Sequence, residues 1–110
     1  MNDKNFLKLT KKVHKLMASR NKIKFLNLSG AGWKDHYTYK ERDRLERYNE
    51  KAYAKRVKFN GVIADILVLM VNSGRSIEDI MGQYDPADFD EILNIRDELK
   101  PLRNKSFGGK

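Results

Sequence analysis

Six cationic side chains, Lys40, Arg44, Arg47, Lys51, Lys55 and Lys58, follow one another at intervals of four, three, four, four and three residues. Residues three and four apart share one face of a helix, so this spacing predicts a continuous basic stripe. Its ends, separated by 18 residues, would stand about 27 Å apart at the rise of an α-helix. Such a stripe suits a polyanion, because each phosphate neutralised by Lys or Arg releases condensed counterion and so adds affinity. Aromatic residues lie close by at Trp33, Tyr37, Tyr39, Tyr48 and Tyr53. An exposed ring can stack on an unpaired base. Trp33 joins the six cations as the candidate nucleic-acid-binding set, whereas Tyr48 falls on the apolar stripe of the same segment and is expected in the core. The competing reading is a solvated face, since Glu41, Asp43, Glu46 and Glu50 interleave with the cations and Asp43 can pair with Arg47. The acidic residues stop at Glu50, while Lys51, Lys55, Arg56 and Lys58 continue. That asymmetry favours binding. No base-reading motif is present, so nothing points to sequence specificity.

Other residues of catalytic or ligating type are not arranged for chemistry. His14 and His36 lie in different segments, and His14 sits beside an apolar stripe, where a boundary histidine is the ordinary outcome. Asp35-His36-Tyr37 has acid–base residue types, but neighbours along a chain do not face one another, and no nucleophile accompanies them. Ser29-Gly30-Ala31-Gly32 lacks the lysine and spacing of a phosphate-cradling loop. Asp85, Asp88, Asp90 and Glu91 resemble a metal cluster in composition, yet Asp85 and Asp88 have a place at a helix N-terminus, where negative charge is favoured. There is no cysteine, so thiolate zinc sites and disulfides are excluded. The expectation is a protein that is not an enzyme, with no metal and no cofactor.

The 110 residues fit one domain. Charged residues make up 35% of them and the formal net charge is +8. That charge is unevenly placed. Residues 1–58 hold 17 Lys/Arg against 6 Asp/Glu, and residues 59–110 hold 6 against 9. A basic half of this kind points to a polyanionic partner. Lysines at positions 4, 8, 11 and 12 interrupt any signal-peptide-like run. The longest apolar run, Val62–Val71, contains Asp65 and falls well short of the ~20 residues that span a bilayer. No membrane association is expected, and the localisation expected is cytoplasmic.

The elements that must carry these residues follow from periodicity. Phe6, Leu9, Val13 and Leu16 mark a first helix, with Asp3 available as its cap, ending near Arg20–Asn21. Lys22 to Leu28 reads as a short strand or an extended connection. Thr38 and Glu41 have capping-box spacing, so a second helix starts at Tyr39. Leu45, Tyr48, Ala52, Phe59, Val62, Ile66 and Leu69 carry its rhythm towards Val71. Asn60-Gly61 interrupts that run with a hairpin-type dipeptide, and the unbroken helical phase across it favours a kink or a helix–helix junction over a turn. Gly74 is placed for a left-handed helix stop. Ser76 caps a short helix ending near Gly82, and Asp85-Pro86 opens a last helix with Phe89, Ile92, Ile95 and Leu99 on its apolar stripe and Pro101 at its end. Asp65, inside the apolar run, calls for a basic partner if buried, with an N-terminal Lys or Arg the natural candidate.

The stretch Gly74-Arg75-Ser76-Ile77-Glu78-Asp79-Ile80-Met81, followed by Tyr84 and Phe89-Asp90-Glu91-Ile92-Leu93, resembles the C-terminal helices of some phage tail-assembly chaperones. The resemblance implies a non-enzymatic protein that escorts another viral protein during assembly, and it carries over no particular residue. The basic first half departs from that pattern. Small size and Lys/Asn richness without cysteine also suit a phage or mobile-element accessory protein.

The sequence therefore predicts an all-α, or nearly all-α, bundle of four to five helices over residues 1–101, with at most a short strand pair and a flexible tail over 102–110. The expected function is non-catalytic engagement of nucleic acid or a nucleoprotein complex through the basic helix face, as a phage-type accessory or inhibitor protein. The alternative is an assembly or chaperone factor that meets a protein partner, or itself, through apolar surface near residues 62–71.

Overall fold

A computed structural model describes residues 1–28 and 32–103, apart from the side chains of Trp33 and Lys34. It contains α1 (Asp3–Asn21), α2 (Tyr39–Asn72), α3 (Glu78–Met81) and α4 (Pro86–Leu93), with short 3₁₀ turns at Trp33–His36 and Lys100–Leu102. The protein is a small all-α domain, without a strand among the described residues. No helix among them is long and apolar enough to cross a membrane.

The helix ends show how local chemistry sets these elements. Asn2, not Asp3, caps α1, its side chain accepting the Asn5 N–H at 2.8 Å. Asp3 instead pairs with Arg75 across the fold. The capping box of α2 forms as its spacing predicts: the Thr38 hydroxyl accepts the Glu41 N–H at 3.2 Å and the Glu41 carboxylate accepts the Thr38 N–H at 2.9 Å. Those bonds to Thr38 hold the Glu41 carboxyl below its ordinary range. Gly74 sits at φ 82°, the left-handed stop that a residue without Cβ adopts most easily. The Ser76 hydroxyl accepts the Glu78 N–H ahead of α3, and Asp85 caps α4 through the Ala87 N–H.

Asn60-Gly61 is neither turn nor junction: α2 runs through it as one helix of 34 residues. The reason is tertiary. Asn60 is buried, and its side chain accepts from Arg20 Nε at 2.7 Å and donates to Glu91 Oε2 at 2.6 Å. An asparagine whose amide is satisfied by two other elements has no use for the local backbone bonds that make a turn. The Arg20 side chain, only 1% exposed, lies at the centre of the network and reaches Glu91 at 3.1 Å and Asp88 at 3.5 Å. Arg56 adds a bidentate pair to Glu91 at 2.7 and 2.8 Å. Hydrogen bonds from Arg56, then Asn60, bring the Glu91 carboxyl down to about 2.

The contacts Asp3–Arg75 and Arg20–Asn60 run α1 antiparallel to the second half of α2. Val13 and Met17 of α1, Ile63, Leu67 and Met70 of α2, and Phe89 and Ile92 of α4 meet in one core, which Ile77, Met81 and Leu99 close. Tyr84 stacks on Phe89 with ring centroids 5.7 Å apart, and its hydroxyl meets His14 Nδ1, which makes His14 the boundary histidine its position predicts. The last helix is shorter than its apolar stripe implies, ending at Leu93 rather than at Pro101. Turns stapled by bonds such as Leu99 N–H to Arg96 O follow it. They still bury Leu99, and Leu102, expected in the tail, packs against the core. Residues 104–110 lie outside the described residues.

Ala52 excepted, every buried residue of α2 lies at Asn60 or beyond. The first half of the helix therefore projects past the core, and the molecule measures 56 × 30 × 22 Å. Its radius of gyration is 17.5 Å, against roughly 13 Å for a compact domain of this length. Residues 22–28 form an extended connection, without a strand, that lies along this projecting half. The Asn49 side chain clamps it, accepting the Leu26 N–H at 2.8 Å and donating to the Leu26 carbonyl at 2.9 Å.

Candidate nucleic-acid interface

Because α2 is one uninterrupted helix, the six cations keep the phase their spacing implies. At 3.6 residues per turn, Lys40, Arg44, Arg47, Lys51, Lys55 and Lys58 fall within an arc of about 80°. All six are exposed. The buried seam of α2, formed by Asn60, Ile63, Ala64, Leu67 and Met70, is centred about 150° away by the same geometry. The acidic helix α4 lies on that far side, its Asp88 and Glu91 engaged by Arg20 and Arg56. It does not cover the stripe.

Neighbouring carboxylates neutralise little of it. Arg47 pairs with Asp43 at 2.7 Å, both side chains well exposed, and such an i,i+4 pair on a surface contributes only a few tenths of a kcal/mol. Arg44 lies near enough to Glu41 to help lower its pKa. Lys40, Lys51, Lys55 and Lys58 are in no salt bridge among the described residues.

The aromatic residues divide differently from the sequence expectation. Tyr48 is not core: it is 50% exposed, because it stands on the projecting half of α2, where Ala52 is the one buried residue. It stands between the stripe and an open groove of about 690 Å³ whose walls include Lys22, Lys24, Lys51 and Lys55. Tyr39 is exposed, but Arg42 lies 4.5 Å above its ring and occupies one face. Tyr53 lines a separate hollow beside Phe25, Arg56 and Glu91. Trp33 opens the 3₁₀ turn before α2, and its side chain lies outside the described residues. The Ser29-Gly30-Ala31 part of the glycine-rich loop also lies outside them.

Lys22 and Lys24 are the basic residues that sequence reasoning missed. The alternation at the start of residues 22–28 separates these lysines from Ile23 and Phe25, but it does not say which element the segment packs against.

The second candidate surface is reduced. Ile63, Ala64, Leu67 and Met70 of the apolar run are fully buried, leaving Val62 at 42% and Leu69 at 52% exposure. Asp65 is not buried but largely exposed, and its partner is Arg96 of the C-terminal segment at 2.8 Å rather than an N-terminal cation. Asp35, His36 and Tyr37 are all exposed, and no His, Asp and Glu group among the described residues is placed to hold a metal ion. The residues that resemble tail-assembly chaperones are chiefly caps and core, with Ile77, Ile80, Met81, Phe89, Ile92 and Leu93 buried. Compared with protein-family models, curated proteins and solved structures, the chain has no match in any of the three.

Proposed function

We propose that this protein is a non-catalytic binder of nucleic acid, in the manner of a small accessory or inhibitor protein, and that the projecting half of α2 carries the contact. The observation that supports this reading most is the stripe itself. Six exposed cations share one narrow face, four of them with no acidic partner among the described residues, and the acidic helix is on the opposite side. A rod of positive charge standing clear of its own core can approach a phosphate backbone without displacing protein structure. Phosphate contacts fix position and supply affinity, whereas discrimination among bases would need side chains aimed into a groove. None is evident among the described residues.

Binding of this type carries a signature in salt. Fluorescence anisotropy with a labelled oligonucleotide, repeated from low to moderate salt, should give a linear fall of log K with log salt concentration. The slope is expected at about −3 to −5, that is roughly −0.7 to −0.9 per phosphate for four to six contacts. Absence of binding at low salt, or an affinity indifferent to salt, would contradict the proposal.

A second reading, an assembly factor with a protein partner, is favoured by one observation. Val62 and Leu69 continue the stripe's face of α2 beyond Lys58 and remain exposed. Contact through these residues would strengthen or persist as salt rises, since apolar association is not screened. The same salt series therefore separates the two readings.

A further inference from the structure

The groove beside the stripe has a composition that a phosphate track alone does not require. Its lining combines Ile23, Tyr48, Ala52 and Phe59 with Lys51 and Lys55 from α2, Lys22 and Lys24 from the connection, and Ser19 of α1. The four lysines are exposed. No carboxylate lines the groove. Its volume, about 690 Å³, lies within the usual ~300–1,000 Å³ of sites that hold organic ligands.

We infer that this groove seats unpaired bases, so that the protein prefers single-stranded to duplex nucleic acid. The inference rests on the binding function proposed above and names its substrate class. The lysines select an anionic ligand, and the apolar part of the lining selects one that also presents flat apolar faces. A single strand presents both at once, with phosphates along its length and bases free to turn aside and stack. A duplex offers the same phosphates but keeps its base faces inside the helical stack, so it gains from the lysines and nothing from the apolar lining. Tyr48 is the key residue. Half-exposed on a regular stretch of α2, it borders both the groove and the Arg44–Arg47 section of the stripe. A base lying on its ring keeps its own phosphates within reach of Lys51 and Lys55. The connection is held beside α2 by the Asn49 clamp on Leu26, and its start is tied to α1 by the Ile23 N–H to Arg20 carbonyl bond.

The test compares a fluorescein-labelled oligothymidylate with a duplex of the same length, at equal salt, by anisotropy. The native protein should bind the single strand at least ~5-fold more tightly, given the stacking contribution of even one base. Tyr48→Ala should weaken single-strand binding roughly 5- to 100-fold and leave duplex binding unchanged. Tyr48→Phe, which keeps the ring, should retain single-strand affinity. Because Tyr48 is no part of the core, circular dichroism should show both variants fully helical. Equal affinity for strand and duplex, with no effect of Tyr48→Ala, would overturn the groove while leaving the stripe in place. Failure of both probes to bind at low salt would remove the stripe, and the groove with it. Equal loss on both probes in Tyr48→Ala would also overturn the inference, since it would assign Tyr48 a role in shaping α2 rather than in holding a base.

Discussion

Reversing the charge of Arg44, Arg47 and Lys51 together is expected to lower nucleic-acid affinity on the order of 100-fold at moderate salt. On the proposed reading, each change removes a phosphate contact and adds a repulsive charge in the middle of the stripe. Glutamate is a good helix former, and these positions lie on the projecting half of α2 away from the buried seam. The fold should therefore survive. The comparison that isolates placement from total charge is Lys4→Glu, Lys11→Glu and Lys100→Glu. Each reversal removes two charges, so both triple variants fall from +8 to +2. If the stripe is the site, the second variant loses less than ~10-fold, because long-range attraction is screened beyond a Debye length of about 8–10 Å. Equal losses in the two variants would mean that only net charge matters. Anisotropy titrations of both, with circular dichroism to verify helix content, give the answer.

The second large effect concerns the network beneath the projecting arm. Arg20→Ala is expected to destabilise the protein by about 3 kcal/mol, the lower end for removing one partner of a buried ion pair. The lower end applies because Asp88 and Glu91 keep 41% of their side-chain surface in water. For a domain of this size the melting temperature should fall on the order of 15 °C. A thermal scan that shows a shift of only a degree or two would mean that the network contributes little. Acid provides an independent reading of the same contacts. Glu91 titrates at about 2 in the folded protein against 4.5 ordinarily. A lowered carboxyl pKa contributes stability that is present above the unfolded value and lost as pH falls through the folded one. The advantage of the native chain over Glu91→Gln should be complete above about pH 5 and vanish towards pH 2. Its size, discounted for exposure, is about 1–2 kcal/mol. Urea unfolding across that range measures it, and an advantage independent of pH would contradict the assignment.

Apart from the α1 cap, which is Asn2 rather than Asp3, features encoded within a few residues were legible in the sequence. The capping box at Thr38 and Glu41, the left-handed stop at Gly74 and the Asp85-Pro86 start depend on neighbours, and each forms as its spacing predicts. Features decided by distant partners were not. The helical phase across Asn60-Gly61 pointed rightly to helix over turn, but the junction expected there is absent, and the bonds of Asn60 to Arg20 and Glu91, 40 and 31 residues away, could not be read from spacing. The stripe at Ile95 and Leu99 continues the rhythm of α4, but its burial is achieved by turns rather than by helix. Tyr48 was misplaced for a related reason. Periodicity identifies a face without saying whether anything covers it, and all the buried residues of α2 but Ala52 lie at Asn60 or beyond. The basic stripe was legible because one continuous helix preserves sequence spacing as geometry. The lysines at positions 22 and 24 were not, since they stand on a connection whose course is set by tertiary contacts such as the Asn49 clamp on Leu26.

Amide chemical shifts of the ¹⁵N-labelled protein, followed while a single-stranded oligonucleotide is added, test most directly where contact is made. Binding by the projecting arm predicts that the largest changes fall on residues 40–58 and on Lys22 and Lys24, with α3 and α4 nearly unmoved. Changes concentrated on Val62–Leu69 or on α4, with residues 40–58 silent, would contradict it.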